Sequence, residues 1–140
     1  MARLLIIILA LLSLTAATHE VVICTRVIDG DTIELSTGER VRYIGMDTEE
    51  PGSKLGEAIA QFNKKMVEGK VIRLEFDKEL RDRYGRLLAY VYADDVFINA
   101  LMVRWGLAKV MTVKPNVRYK EYFLQLQREA KEEGVGIWVK

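Results

Sequence analysis

Apolar and polar positions divide the chain into stretches of different period. Between residues 21 and 46 the apolar residues fall in short, β-branched runs cut by turn residues. The runs are Val21 to Ile28, Thr32 to Leu35 and VRYIGM, and the breaks are Asp29-Gly30 and Ser36-Thr37-Gly38. Runs of this kind predict strands, and Asp29-Gly30 is a hairpin signal because both residues tolerate positive φ. The period then lengthens. Leu55, Ala58, Ile59, Phe62 and Met66 recur at i, i+3, i+4, i+7 and i+11, which predicts one face of a helix that stops at Gly69. VIRLEF at 71–76 alternates as a strand, LLAYVYA at 87–93 gives another, and Asp94-Asp95 punctuates them. NALMVRWG predicts a short helix ending at Gly106. Pro115-Asn116 opens a last helix, with Tyr119, Tyr122, Phe123, Leu126 and Ala130 on one face and Gly134 and Gly136 closing it. The sum is an α+β chain with about five strands, a helix after the third, and more helix at the end. A curled five-stranded sheet capped by helices is an OB-like β-barrel, a scaffold that often binds oligonucleotides, although other α+β folds share the strand count.

Ahead of these elements stands a different pattern. Arg3 precedes an uninterrupted apolar run, Leu4 to Leu12, and small residues follow it. The run is well short of the roughly 20 residues of a spanning helix. A positive start, a short apolar core and small residues describe a signal peptide, residues 1–17, with Thr15 and Ala17 suited to the positions before a cut after Ala17. The expected mature domain is 18–140, secreted or extracytoplasmic; the alternative is an uncleaved membrane anchor.

Charge narrows the picture. The chain of 140 residues carries 21 basic and 20 acidic side chains, and residues 1–17 contain one arginine and no acid. The mature part is therefore formally neutral, and no global positive field draws it to nucleic acid; anion binding has to come from local arrangement. The single Cys24 cannot form an internal disulfide and, in the strand-like EVVICTRVI, reads as a small buried apolar residue. The lone His19, in the tail past the proposed cut, gives a zinc site or a histidine-based nucleophile nothing to build on.

Five charged residues stand at or near predicted strand ends: Asp31, Asp47, Glu50, Arg42 and Arg86. Charged residues at element ends are most often a solvated rim. They also have the chemistry of a metal-phosphate site, because carboxylate oxygens suit a hard cation such as calcium and guanidinium groups fork onto phosphate oxygens. Spacing alone does not choose between these. It does exclude a helix-loop-helix calcium loop starting at Asp29, whose fifth, sixth and twelfth positions would be Ile33, Glu34 and Arg40.

VIDGDT, VRYIGMDTEE, FDKELRDRYGRLLAYVYAD and VRWGLAKV, in this order and at compatible spacing, resemble the staphylococcal nuclease (thermonuclease) family from about Val22 to Trp138. The resemblance implies an OB-fold five-stranded barrel with three helices. It implies a calcium-dependent nuclease that acts on DNA and/or RNA and leaves 3′-phosphate ends; a monomer is expected, and no stable protein partner is implied. By position, Asp31 and Asp47 resemble the family's Ca2+-binding carboxylates, and Thr48 would add its backbone carbonyl. Arg42 and Arg86 resemble the arginines that grip the scissile phosphate, and Glu50 the general base. Tyr84, with its neighbour Arg83, resembles the substrate-binding element near the nucleotide's phosphate, and Asp29 an acid beside the metal ligands.

Three departures from the pattern stand out. The usual D-T-P-E reads Asp47-Thr48-Glu49-Glu50, with Pro51 after it, which leaves Glu49 as a rival to Glu50. The loop from Pro51 to the helix at Leu55 is short, where the best-known member has a long lysine-bearing one. After Val110 the chain reads MTVKP, without the tyrosine pair of that member, so contacts to the terminal nucleotide are missing. Domains of this fold also serve as non-catalytic nucleic-acid- or protein-binding modules. That alternative does not call for the acids and both arginines together, and all of them are present.

Overall fold

The computed structural model describes residues 19–140; the proposed leader, 1–17, lies outside them. The elements are β1 (His19–Asp29), β2 (Thr32–Leu35), β3 (Arg40–Tyr43), β4 (Met46–Asp47), α1 (Lys54–Val67), β5 (Val71–Glu75), β6 (Leu87–Ala93), β7 (Val96–Phe97), α2 (Ile98–Arg104), β8 (Lys109–Val110), α3 (Lys120–Glu133) and a 3-10 turn, Gly136–Trp138.

Five strands close on themselves. The order β3-β2-β1-β5-β6 is antiparallel throughout, and a parallel pairing of β3 with β6 (Val41↔Leu87, Arg42↔Leu88, Tyr43↔Ala89) completes the ring. β1 makes closure possible because it is long and bent. Its first half pairs with β5 and its second half with β2, and register shifts after Cys24 and Val27 mark where it turns. Alternation sends Val22 and Cys24 inward and leaves Val21 and Ile23 outside. Cys24, Ile33, Leu35, Val41, Ile72, Leu74, Ala89 and Val91 fill the interior. Cys24 is fully buried and its thiol is pushed up to about 11 by that burial, so it is an inert packing residue. The fold is the OB barrel with three helices expected from the sequence.

Several local expectations need correcting. His19 is not tail but the first residue of β1, opposite Glu75. VRYIGM is not one strand: at Ile44-Gly45 the chain turns, with Gly45 at φ +81, and β4 leaves the barrel to pair with β8. Gly45 is also required by space, since a Cβ there would meet the Phe123 ring at 2.7 Å. The buried face of α1 is Gly56, Ile59, Asn63 and Val67, rotated from the predicted one, and Leu55 is 40% exposed. The shift arises because a polar residue, Asn63, sits in the core. It accepts from Tyr43 Oη at 2.8 Å and donates to the Asp29 carbonyl at 2.9 Å. The last helix begins at Lys120 rather than at Pro115-Asn116. Asn116 is a clamp instead of a cap: its Oδ1 accepts from Glu79 N at 2.8 Å and its Nδ2 donates to Glu79 O at 2.9 Å. Phe123, Leu126 and Ala130 pack inward as expected, whereas Tyr122 is 49% exposed and Tyr119 stands just before the helix, and Gly134 closes α3 in the left-handed conformation.

Candidate active site

The β1–β2 turn, β3 and β4 bring four of the singled-out residues together at the barrel's mouth. Pairing of Thr32 with Arg42 sets Arg42 beside the buried Asp31. The Ile44-Gly45 turn then folds β4 back, and Asp47 arrives on the other side of the same guanidinium. Arg42 Nη2 lies 2.9 Å from Asp47 Oδ1 and 3.3 Å from Asp31 Oδ2. Its Nη1 donates to the carbonyls of Tyr43 (2.8 Å) and Met46 (2.9 Å). Asp31 Oδ2 also accepts from the backbone N (3.1 Å) and Oγ1 (3.3 Å) of Thr48. Both terminal nitrogens of Arg42 are thus turned onto protein oxygens, and only Nε is without a partner among the described residues. Arg42 was expected to grip phosphate with its fork. Here one nitrogen of that fork, Nη2, meets both carboxylates, and the other, Nη1, is held by backbone carbonyls.

Asp29-Gly30 is a turn, as expected, but not for the reason expected. Neither residue has positive φ. Gly30 is demanded by crowding: a Cβ would stand 2.6 Å from Ile59 Cγ2 and 2.6 Å from Thr48 Oγ1. Asp29 Oδ1 accepts from Asp31 N at 3.0 Å, so its side chain braces the turn that aims Asp31. Burial, a side-chain hydrogen bond with Asp31 and the charges of Asp31 and Glu50 push the Asp29 carboxyl up to about 6. Asp47 is raised too, by burial and by the charge of Asp31, against the opposing pull of Arg42 and Lys109.

Glu49 and Glu50 part company. Glu49 accepts weakly from Ser53 Oγ (3.4 Å) and lines a hollow with Asp47 and Thr48. Glu50 is exposed, and its charge reaches Asp29. Its carbonyl lies so close to α1 that Gly56 leaves no room for a side chain.

The second arginine faces a cleft of about 480 Å³ that Arg42 also lines. Arg86 Nε donates to Asp82 Oδ2 at 2.7 Å, and Asp82 Oδ1 accepts from the backbone N of Tyr84 (2.9 Å) and of Arg86 (3.0 Å). With Nε held, the terminal nitrogens of Arg86 have no hydrogen-bond partner among the described residues. Tyr84 is 68% exposed; Arg83 Nη2 donates to its hydroxyl at 2.8 Å, and both Arg83 and Arg86 lie over its ring. Where the tyrosine pair was missed, Met111 and Val113 form an aliphatic wall of the cleft with Ile44 and Leu88. The sequence reading did not single out Asn63, Asp82 or Lys109. Asp82 had a signal, an acid four residues before Arg86 in DRYGR, whereas Asn63 was hidden because a polar residue does not enter an apolar period.

The donor set fits a hard cation. Two carboxylates converge where a single guanidinium nitrogen now balances them, and burial with mutual repulsion raises Asp47, the sign of a place that gains from positive charge. Among the described residues no three acidic, histidine or cysteine side chains converge; of the calcium shell that the resemblance implies, Asp31 and Asp47 meet here on Arg42 Nη2.

Comparison with known proteins adds independent evidence. Residues 40–140 match a family model described as staphylococcal nuclease homologue. The chain is 39% identical over 135 residues to a thermonuclease of Staphylococcus intermedius, an alignment covering 90% of this chain and 80% of that protein. It is 37% identical over 122 residues to a thermonuclease of Staphylococcus hyicus, covering 81% and 72%. It is 41% identical over 126 residues to the SPbeta prophage-derived endonuclease YokF of Bacillus subtilis (strain 168), with 82% of this chain matched but 43% of that protein, so the chain spans less than half of that relative.

Proposed function

The chain belongs to the staphylococcal nuclease family, and from that premise we propose that it is an exported calcium-dependent nuclease that hydrolyses phosphodiesters of DNA and/or RNA and leaves 3′-phosphate ends. The observation that carries the reading is the meeting of Asp31 and Asp47 on Arg42 Nη2, at the edge of the cleft that Arg42 and Arg86 line. Calcium held by Asp31, Asp47 and the Thr48 carbonyl would supply positive charge to a phosphate oxygen.

The chain's own residues account for the rest. Arg86, held by Asp82 through Nε, directs its free terminal nitrogens at the phosphate and offsets the charge that builds as water adds to phosphorus. Arg42 contributes Nε and the neutralisation of the two acids. Glu50 takes the proton of the attacking water, typically worth about 10²–10⁴-fold. The water oxygen bonds to phosphorus, the bond from phosphorus to O5′ breaks, and the leaving oxygen takes a proton from solvent. The exported location rests on the pattern of residues 1–17.

Incubation of residues 18–140 with DNA and with RNA, in calcium and in excess chelator, tests the proposal. Cleavage only with calcium, giving ends that a 3′-phosphatase opens to extension, is the expected result; undiminished cleavage in chelator removes the metal. In the same assay Glu50→Gln should lose about 10²–10⁴-fold in turnover while Glu49→Gln stays within a few-fold. The reverse pattern would transfer the base role to Glu49.

A further inference from the structure

The carboxylates at the barrel's mouth have the Arg86 cleft on one side. On the other side is a hollow of about 240 Å³ lined by Asp47, Thr48, Glu49, Lys109 and Trp138 among others. Pairing of β4 with β8 sets Lys109 directly across from Asp47. The Lys131 ammonium, from α3, stands 4.6 Å from the centre of the Trp138 ring, and that of Lys109 stands 5.9 Å from it. Among the described residues the ion-paired lysines are Lys64 and Lys70. Lys109 and Lys131 are exposed and have no carboxylate partner. Trp138 Nε1 is the one buried polar side-chain atom among them that lacks a hydrogen-bond partner. Two exposed cations beside an indole, next to the Asp47 that Arg42 of the cleft holds at 2.9 Å, combine an electrostatic track with a stacking platform.

We propose that Lys109, Trp138 and Lys131 hold the polynucleotide on the side of the scissile phosphate away from the Arg86 cleft, so that a single strand crosses the barrel's mouth from cleft to indole. This rests on the nuclease reading, because it assigns the second half of the strand that an enzyme cutting inside a chain has to hold. Asp47 and Glu49 repel phosphates and keep them by the lysines. The strand is single because a base stacks on an indole only when it is free of its pair. The lysines take backbone phosphates and therefore carry no sequence preference.

The test measures binding of a single-stranded oligonucleotide and of a dinucleotide, in calcium and in a Glu50→Gln background so that cleavage does not intervene. Trp138→Leu should weaken the oligonucleotide by at least about five-fold and the dinucleotide far less. Lys131→Gln, an exposed change that keeps the assay decisive if Trp138→Leu does not fold, should flatten the salt dependence of oligonucleotide binding by about 0.7 in log-log slope. Equal losses for both ligands, an unchanged slope with Lys131→Gln, or no oligonucleotide binding by the parent overturns the surface. Wild-type protein that cuts no nucleic acid while the length-dependent loss persists overturns the nuclease reading and leaves the surface standing.

Discussion

Asp82 does two jobs with two oxygens, and a single substitution separates them. Oδ1 holds the turn by accepting from the backbone N of Tyr84 and Arg86, and Oδ2 holds the Arg86 side chain at 2.7 Å. Asp82→Asn keeps an oxygen for the two backbone donors and then presents an NH2 group to the Arg86 Nε–H, donor against donor. The turn survives and the arginine is released. A hydrogen bond to a charged group contributes about 1.5–3 kcal/mol, but both side chains are partly exposed (30% and 18%), so the stability change should be only about 1 kcal/mol. The kinetic effect should be larger, because an untethered guanidinium reaches its place opposite the phosphate only part of the time. About 1.4–2.8 kcal/mol of lost transition-state stabilisation gives a ten- to hundred-fold fall in turnover. Steady-state kinetics on an oligonucleotide and a thermal melt, run on wild type, Asp82→Asn and Asp82→Ala, decide the matter. Asp82→Asn should melt near wild type with low kcat, and Asp82→Ala should lose both. Wild-type turnover in Asp82→Asn, or a melt as low as that of Asp82→Ala, refutes the division of labour. So does a double variant with Arg86→Lys whose losses simply multiply.

Other outcomes follow from the same contacts. Arg86→Lys keeps the charge but loses the fork, and turnover should fall at least about ten-fold; wild-type kinetics would make Arg86 an ordinary rim charge. Asn63→Leu strands the Tyr43 hydroxyl and the Asp29 carbonyl inside the barrel, and urea unfolding should show a loss of about 2–5 kcal/mol. Burial works against the charged form of Asp77, but hydrogen bonds from Tyr90 Oη, Arg118 N and Lys78 N outweigh it and hold the carboxyl below its usual range. A depressed carboxyl stabilises the fold above its unfolded pKa of about 3.9 and loses that contribution as pH falls through the folded value. Asp77→Asn should therefore lower stability at neutral pH and flatten the acid limb below about pH 4. Mass spectrometry of exported material should find an N-terminus near Thr18, whereas full-length chain in the membrane fraction would establish the anchor.

The five barrel strands, the three helices and the inward Phe123, Leu126 and Ala130 of α3 were legible in the chain because each is a local pattern: β-branched runs, a helical period, a glycine stop. Asp31, Asp47, Glu50, Arg42 and Arg86 were visible as chemistry for a related reason, since acids and arginines at strand ends have little packing to do. Their convergence was not visible. It depends on Thr32 pairing with Arg42 and on β4 leaving the barrel for β8, both contacts between segments that no period links. The same limit explains the misreadings. Gly30 looked like a residue needed for positive φ and is in fact needed because α1 and Thr48 approach within the space of one methyl group. Asn63 has no place in an apolar period and is a buried clamp, because its partners Tyr43 and Asp29 come from strands 20 and 34 residues away. Arg42 meets two carboxylates, because the strands that bring the acids together also enclose the guanidinium between them. Local periodicity specifies which residues face a core, and only the approach of distant segments decides which polar atoms find each other.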